Sequence, residues 1–337
     1  MRIAIVTDAW HPQPNGVVRV LSSLHQRLQS AGHEVMMLSP DLFTTIPCPT
    51  YAEIPLALFP FAGVARRLAL FRPEAIHIAT EGPLGWAARR WCLKHKKPFT
   101  TAYHTKFPQY IHARSKLPLP WLYAAIRRFH APSSAVMVPS PSVYEELTHW
   151  GFKNVRAWSH GVDTALFHPQ GKEALDLPRP IHLYVGRVTV EKNLPAFLDL
   201  DLPGSKVVVG SGPQREALMK RYPEAHFLIA HGDGELSRYF SAGDVFVFPS
   251  RTDTFGLVML EAMASGVPVA AFPVPGPLDV LAEQNPQTPA GVLNEDLAAA
   301  AKTALTLDPG HCRAYARRFG WDRVVEEFVS FLAPVKP

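Results

Sequence analysis

The chain has 337 residues, 47% of them hydrophobic, and a net charge of +5, which is more than one ordinary compact core holds and predicts two domains. No run of about 18 apolar residues is present, which speaks against a membrane-spanning helix, and the start MRIAIVTDAW turns polar too soon for a secretory leader, so a cytoplasmic protein is expected. Cys48, Cys92 and Cys312 have neither metal-ligand spacing nor an even count, so three reduced thiols are expected, with no disulfide framework.

From the first residues onward, short β-branched runs alternate with longer helix-like segments. RIAIV, EVMML, AIHIA, PFTTAYH and AVMVPS come first, then IHLYVG, KVVVG, HFLIA, DVFVFPS and VPVAAF. This rhythm predicts an α/β protein with two doubly wound parallel sheets of the Rossmann type, whose strands read as continuous apolar runs because helices cover both faces. In such sheets ligands sit beyond the carboxyl ends of the strands, so the strand-to-helix loops are where chemistry is sought.

The first such loop, TDAWHPQPNGVVRVL, leaves Asn15 and Gly16 at the amino end of a helix expected to begin near Val17. A glycine there lets a phosphate approach the helix amides, although an Asn–Gly pair is also an ordinary turn. Residues 1–166 carry a net +9 and residues 167–337 a net −4, with basic clusters at RRWCLKHKK (89–97), ARSK (113–116) and Arg127–Arg128. Such clusters suit an anionic membrane surface or a merely solvated face; nucleic acid is not expected, because no recognisable binding module accompanies the charge. In PFTTAYHTKFPQY, a strand ends near Tyr103–His104, which aims His104 at the ligand side of the sheet.

The stretch GVDTALFHPQGKEALDLPRP, rich in Pro and Gly, reads as a linker. It predicts an N-terminal domain over 1–166, a C-terminal domain over 167–315 and a terminal helical segment over 316–337, where Phe319, Val324, Val325, Phe328 and Phe331 follow an amphipathic spacing. The loop VGRVTVEKN (185–193) puts Arg187 and Lys192 five residues apart at a helix entrance. Two cations there would neutralise a diphosphate as it departs, without a metal ion. Gly210 and Gly212 repeat the strand, glycine turn and helix arrangement one unit later. The triplet Asp199-Leu200-Asp201 could suggest a metal site but lies between a helix and a strand, and is assigned to the surface. In FPSRTDTFGLVMLEAMASGVPV (248–269), Asp253 sits in a loop, the amides of Phe255, Gly256 and Leu257 follow, and Glu261 lies about two helical turns further on. A loop carboxylate can accept sugar hydroxyls, the amides can face phosphates, and a helix carboxylate can take both hydroxyls of a ribose.

These motifs, in this order, resemble the retaining GT-B glycosyltransferases related to glycogen and sucrose synthases. The nearest in character are lipid-modifying members: phosphatidylinositol mannosyltransferases, sulfoquinovosyl-diacylglycerol synthases and glycosyl-diacylglycerol synthases. The resemblance implies two Rossmann-like domains facing across a cleft, with the terminal helix crossing back to the first. It implies that Gly16, Arg187 and Lys192 hold the diphosphate of a UDP-sugar or GDP-mannose donor, with Gly212 near the nucleotide. Glu261 would hold the ribose, Asp253 and the Phe255–Leu257 amides the donor sugar, and His104 would contact the sugar as well. Asp253 departs from the family's usual Glu at that position.

The reaction so implied moves a hexose or hexuronic acid, with retention, to a membrane lipid such as diacylglycerol at the inner membrane surface, with no cofactor and no metal. A GDP-mannose-dependent α-mannosyltransferase acting on a lipid headgroup or a soluble acceptor is the alternative. A non-catalytic nucleotide-sugar-binding protein is a further one. An NAD-dependent oxidoreductase is disfavoured by the absence of G-x-G-x-x-G after the first strand.

Overall fold

The computed structural model describes residues 1–13, 16–48 and 51–335, so Asn15 lies outside the described residues. The chain forms two compact units. One comprises Met1–Ser159 together with Asp322–Pro337, and the other His160–Trp321. The border falls before His160 because Val162 and Phe167 bury their side chains in the second unit's core.

The first unit contains strands β1 (Arg2–Val6), β2 (Glu34–Leu38), β3 (Thr45–Cys48), β4 (Tyr51–Ala57), β5 (Ala75–Ile78), β6 (Thr100–Ala102), β7 (Val136–Val138) and β8 (Val155–Ala157). Its helices are α1 (Gly16–Ser30), α2 (Phe61–Phe71), α3 (Pro83–Lys94), α4 (Phe107–Ser115), α5 (Leu119–His130) and α6 (Pro141–His149). The main sheet is parallel in the order β2-β1-β5-β6-β7-β8, and β3 and β4 form a separate antiparallel hairpin. Alternation along β1 and β5 sends Ala4, Val6, Ile76 and Ile78 into a core shared with α2 and α3. His77 therefore points to the opposite face, where its ring lies 5.0 Å from that of Phe328.

The second unit contains β9 (Ile181–Val185), β10 (Ser205–Val209), β11 (His226–Leu228), β12 (Val245–Phe248), β13 (Val269–Ala271) and β14 (Gly291–Leu293). Between and after them run α7 (Pro195–Leu198), α8 (Arg215–Arg221), α9 (Asp233–Ala242), α10 (Leu257–Ala264), α11 (Pro277–Val280), α12 (Leu297–Ala304) and α13 (Pro309–Ala316). The sheet is wholly parallel in the order β11-β10-β9-β12-β13-β14. Ile181, Leu183, Val207, Phe246 and Phe248 face one core, whereas Tyr184, Val208, Val245 and Val247 face another. That is the double coverage the continuous apolar runs predict. The strand order reverses between β9 and β12, the position at which ligands bind beyond the carboxyl ends of the strands in parallel α/β sheets.

The last helix, α14 (Trp321–Phe331), starts five residues later than the predicted segment, because Arg317–Phe319 forms a tighter 3-10 turn ending at Gly320. From Asp322 onward the chain is part of the first unit. Val324, Val325 and Phe328 are buried, the Trp158 indole donates from Nε1 to the Val324 carbonyl at 2.9 Å, and the Val335 amide donates to the Glu74 carbonyl at 2.7 Å. Phe328 is fully buried against His77 and Trp158. Its replacement by Ala is expected to cost about 3–5 kcal/mol of stability, read as a lowered urea midpoint; a loss under about 1 kcal/mol would show that this segment is not an integral part of the first unit's core.

Candidate functional site

In the second unit, the loop after β9 meets the loop after β12 where the strand order reverses, and meets the loop after β10 on its other side. The loop after β9 is sewn to the loop after β10 by main-chain bonds: Val188 N donates to Ser211 O at 2.7 Å, and Gln214 N donates back to Val188 O at 3.1 Å. Glycine is required on this seam. At Gly210 a Cβ would lie 1.9 Å from the Gly186 carbonyl oxygen, and at Gly212 it would lie 2.4 Å from that of Val188. Both have φ of +152°, a conformation side chains avoid.

Beyond the seam, Val190–Lys192 forms a single 3-10 turn ending at Asn193, whose φ of 53° is left-handed, as asparagine tolerates. That turn is tied to the loop after β12. Asn193 Nδ2 donates to Pro249 O at 3.1 Å, and Ser250 Oγ donates to Glu191 O at 3.3 Å. Lys192 Nζ lies 2.6 Å from Asp253 Oδ2, with 16% of each side chain exposed. Burial pushes the Asp253 carboxyl upward, but the Lys192 ammonium and the Thr254 and Phe255 amides outweigh it and hold the group below its ordinary range. Asp253 is therefore ionised at neutral pH. Arg187 NH2 lies 3.2 Å from Glu191 Oε1, and the Tyr184 hydroxyl donates to the Arg187 carbonyl at 2.9 Å.

Helix α10 follows directly, entered through Gly256 at a φ of 87°. Phe255 is buried, its ring 5.5 Å from that of His160. Its amide is directed at the Asp253 carboxylate, which leaves Gly256 and Leu257 as the candidate anion-facing amides of this turn. Glu261 is only 2% exposed in α10, between the buried Leu260 and Ala262. The structure thus gathers Arg187, Lys192 and Asp253 about two laced loops, with Gly212 on the same seam and Phe255, Gly256, Leu257 and Glu261 on the element that follows. Sequence reasoning missed Tyr184, Glu191, Asn193 and Ser250; the signal for Glu191 was its place between two cations of one motif.

Gly16 and His104 belong to the first unit. Gly16 opens α1, with open space where a Cβ would stand. His104 follows β6, is 8% exposed and packs edge-on against Trp158 at 6.1 Å. Burial pushes its imidazole down to about 4, and that of His77 down to about 3, so both rings are neutral near pH 7.

Sequence reasoning also missed three features of the first unit. Asp8, just after β1, accepts hydrogen bonds from the Leu84 amide at 2.9 Å, the Gly85 amide at 3.3 Å and the Thr80 hydroxyl at 2.8 Å. It caps α3 across the β1/β5 reversal, and burial pushes its carboxyl up to about 6. His130 Nε2 lies 3.1 Å from Glu81 Oε1 and its Nδ1 lies 2.8 Å from Thr101 Oγ1. Lys106 pairs with Glu146 at 2.7 Å. Among the described residues, no three His, Cys, Asp or Glu side chains converge as a metal site would require.

The fold and these loops match known proteins along most of the chain. Residues 14–166 match the model of Glycosyltransferase Family 4, and residues 179–307 that of Glycosyl transferases group 1. A GDP-mannose-dependent alpha-mannosyltransferase of Mycobacterium tuberculosis is 30% identical over 83% of this chain and 81% of its own length. The chain belongs to these glycosyltransferases.

The sulfoquinovosyl transferase SQD2 of Arabidopsis thaliana is 32% identical to the glycosyltransferase over 71% of this chain, but this chain spans only 50% of that protein. The alpha-monoglucosyldiacylglycerol synthase of Streptococcus pneumoniae is 28% identical over 80% of this chain and 71% of its own length. Among solved structures, the sucrose-phosphate synthase of Thermosynechococcus elongatus aligns with a TM-score of 0.75 and 22% identity over 98% of this chain and 97% of its own. With its two parallel α/β units, the protein has the GT-B fold and is a nucleotide-sugar glycosyltransferase.

The neutral imidazoles set a pH response. Their folded values lie below the ordinary 6.5, so the stability they contribute is complete above 6.5. It is lost as pH falls toward about 4 for His104 and about 3 for His77. Urea midpoints measured from pH 7 to pH 4 are expected to fall, and less steeply for His77→Leu; equal slopes would refute the assignment. If His104 takes part in turnover, its pH profile should show no histidine limb between about pH 6 and 8.

Proposed function

We propose that the protein transfers a hexose or hexuronic acid, with retention of anomeric configuration, from a nucleoside-diphosphate sugar to a membrane lipid, diacylglycerol being the favoured acceptor. The observation that carries the reading is the placement of Arg187 and Lys192 on the loop after β9, with Lys192 paired to Asp253 of the loop after β12 where the strand order reverses. Both cations stand on the loop after β9, which main-chain bonds tie to the loop after β10, and they supply positive charge for a departing diphosphate. In this reading Arg187, Lys192 and Gly16 serve the diphosphate and Gly212 lies near the nucleotide. Glu261 serves the ribose, and Asp253 with the α10 entrance the sugar. His104, being neutral, exchanges a hydrogen bond with a sugar hydroxyl rather than acting as a cation.

The bond between the anomeric carbon and the phosphate oxygen breaks, the acceptor oxygen bonds to that carbon on the same face, and its proton passes to the departing phosphate. No metal ion is assigned to this step.

The lipid acceptor is supported by relatives such as the alpha-monoglucosyldiacylglycerol synthase. From Gly82 to Tyr144 the sequence has ten Lys or Arg and no Asp or Glu, a charge pattern suited to an anionic membrane surface. No helix among the described residues is long and apolar enough to cross a membrane, and the proposed station is peripheral, on the inner membrane surface of the cytoplasm. The relative covered over 81% of its length acts with GDP-mannose, which favours mannosyl transfer to a lipid headgroup or a soluble acceptor as the second reading.

The test incubates the full-length protein with UDP- and GDP-sugars and vesicles containing diacylglycerol or phosphatidylinositol. Products are identified by mass spectrometry and anomeric NMR. A retained α-linkage, unaffected by chelator and lowered about 100-fold or more by Arg187→Ala or Lys192→Ala, is expected. An inverted product, manganese-restored activity, or no transfer from any donor would each overturn part of the reading.

A further inference from the structure

The proposed nucleotide site holds an internal counter-ion for each of its cations. Lys192 is paired with Asp253 at 2.6 Å and Arg187 with Glu191 at 3.2 Å. Asp253 is fixed by the main chain, because its Oδ1 accepts from the Thr254 amide at 2.8 Å. Ser250 Oγ donates to the Glu191 carbonyl, and the Glu191 carboxylate is paired with Arg187. That carboxylate is 11% exposed, against 28% for Arg187, so its charge is only partly screened by solvent.

A nucleoside diphosphate entering this site must draw Arg187 away from Glu191 and must also sit near the charge that remains. Resting on the nucleotide-site reading above, we infer that Glu191 is an affinity-setting residue. Its carboxylate competes with the diphosphate for Arg187 and repels the diphosphate once bound. It thereby keeps the nucleotide product weakly held and speeds its release. A residue that merely steadied Arg187 would have the opposite signature, since its loss would weaken binding. One unit charge at contact distance in a part-buried site is enough to change an affinity by about tenfold or more.

The experiment titrates UDP, GDP and ADP into wild type, Glu191→Gln, Glu191→Asp and Arg187→Ala by calorimetry, with stopped-flow dissociation and a melting curve for each. Glu191→Gln is expected to bind the preferred diphosphate about tenfold more tightly, chiefly through slower dissociation, while Glu191→Asp, which keeps the charge, stays within about threefold of wild type. Equal or weaker binding by a folded Glu191→Gln overturns the inference. If that variant does not fold, the Glu191→Asp comparison decides: an affinity change beyond about threefold despite the retained charge overturns it. The underlying reading fails separately, if wild type binds none of the three diphosphates or if Arg187→Ala binds as tightly as wild type.

Discussion

The arrangement of charges in the second unit depends on one constraint: β9 and β12, 60 residues apart in sequence, lie side by side with the strand order reversing between them. Two loops that would otherwise be covered by crossover helices are left open at the same sheet edge. The chain then closes them onto each other with bonds that leave little freedom, through Ser250 to Glu191 and Asn193 to Pro249. A lysine and an aspartate on free loops would form a surface pair of small consequence. Held this way, each with 16% exposure, they form a fixed dipole whose position is set before any ligand arrives.

A comparable logic operates in the first unit by a different means. His104 is kept neutral by packing rather than by a charged partner. Trp158 packs against it, Trp158 is bonded to Val324, and Phe328 fills the space between Trp158 and His77. The environment of a residue after β6 is thus made by a segment more than two hundred residues later, which joins the first unit's sheet through the Val335 to Glu74 bond. Burial removes water from the imidazole, and desolvation alone accounts for its lowered basicity.

Much of this was legible in the sequence because the motifs are local. Continuous apolar runs marked the buried strands, and FPSRTDTFGLVMLEAM placed Asp253, the α10 entrance and Glu261 in one contiguous piece. What escaped was either too short or too distant. The strands β8 and β14 have three residues each and lack the longer β-branched run that marked the equally short β6, β7, β11 and β13. The β3–β4 hairpin contains Pro47 and Pro55, which argue against a strand. The pairing of Lys192 with Asp253 needs the strand order, which no local pattern contains. Asp8 carries no local signal in the sequence, because its role as the cap of α3 depends on contacts 76 and 77 residues away.

The aspartate at 253 follows the same logic of constraint. The resembling family usually has the longer glutamate there. With one methylene, Asp253 can keep one oxygen on the adjacent Thr254 amide, have the Phe255 amide directed at its carboxylate, and still give the other oxygen to Lys192. Short Asp and Asn side chains fold back onto the next amides in this way, whereas a glutamate carboxylate stands too far from its own backbone to do so at low cost. The shorter arm therefore exchanges reach for rigidity. It ties the carboxylate to the turn that opens α10, so a movement of Lys192 away from Asp253 would release one oxygen while the other stays anchored to the main chain.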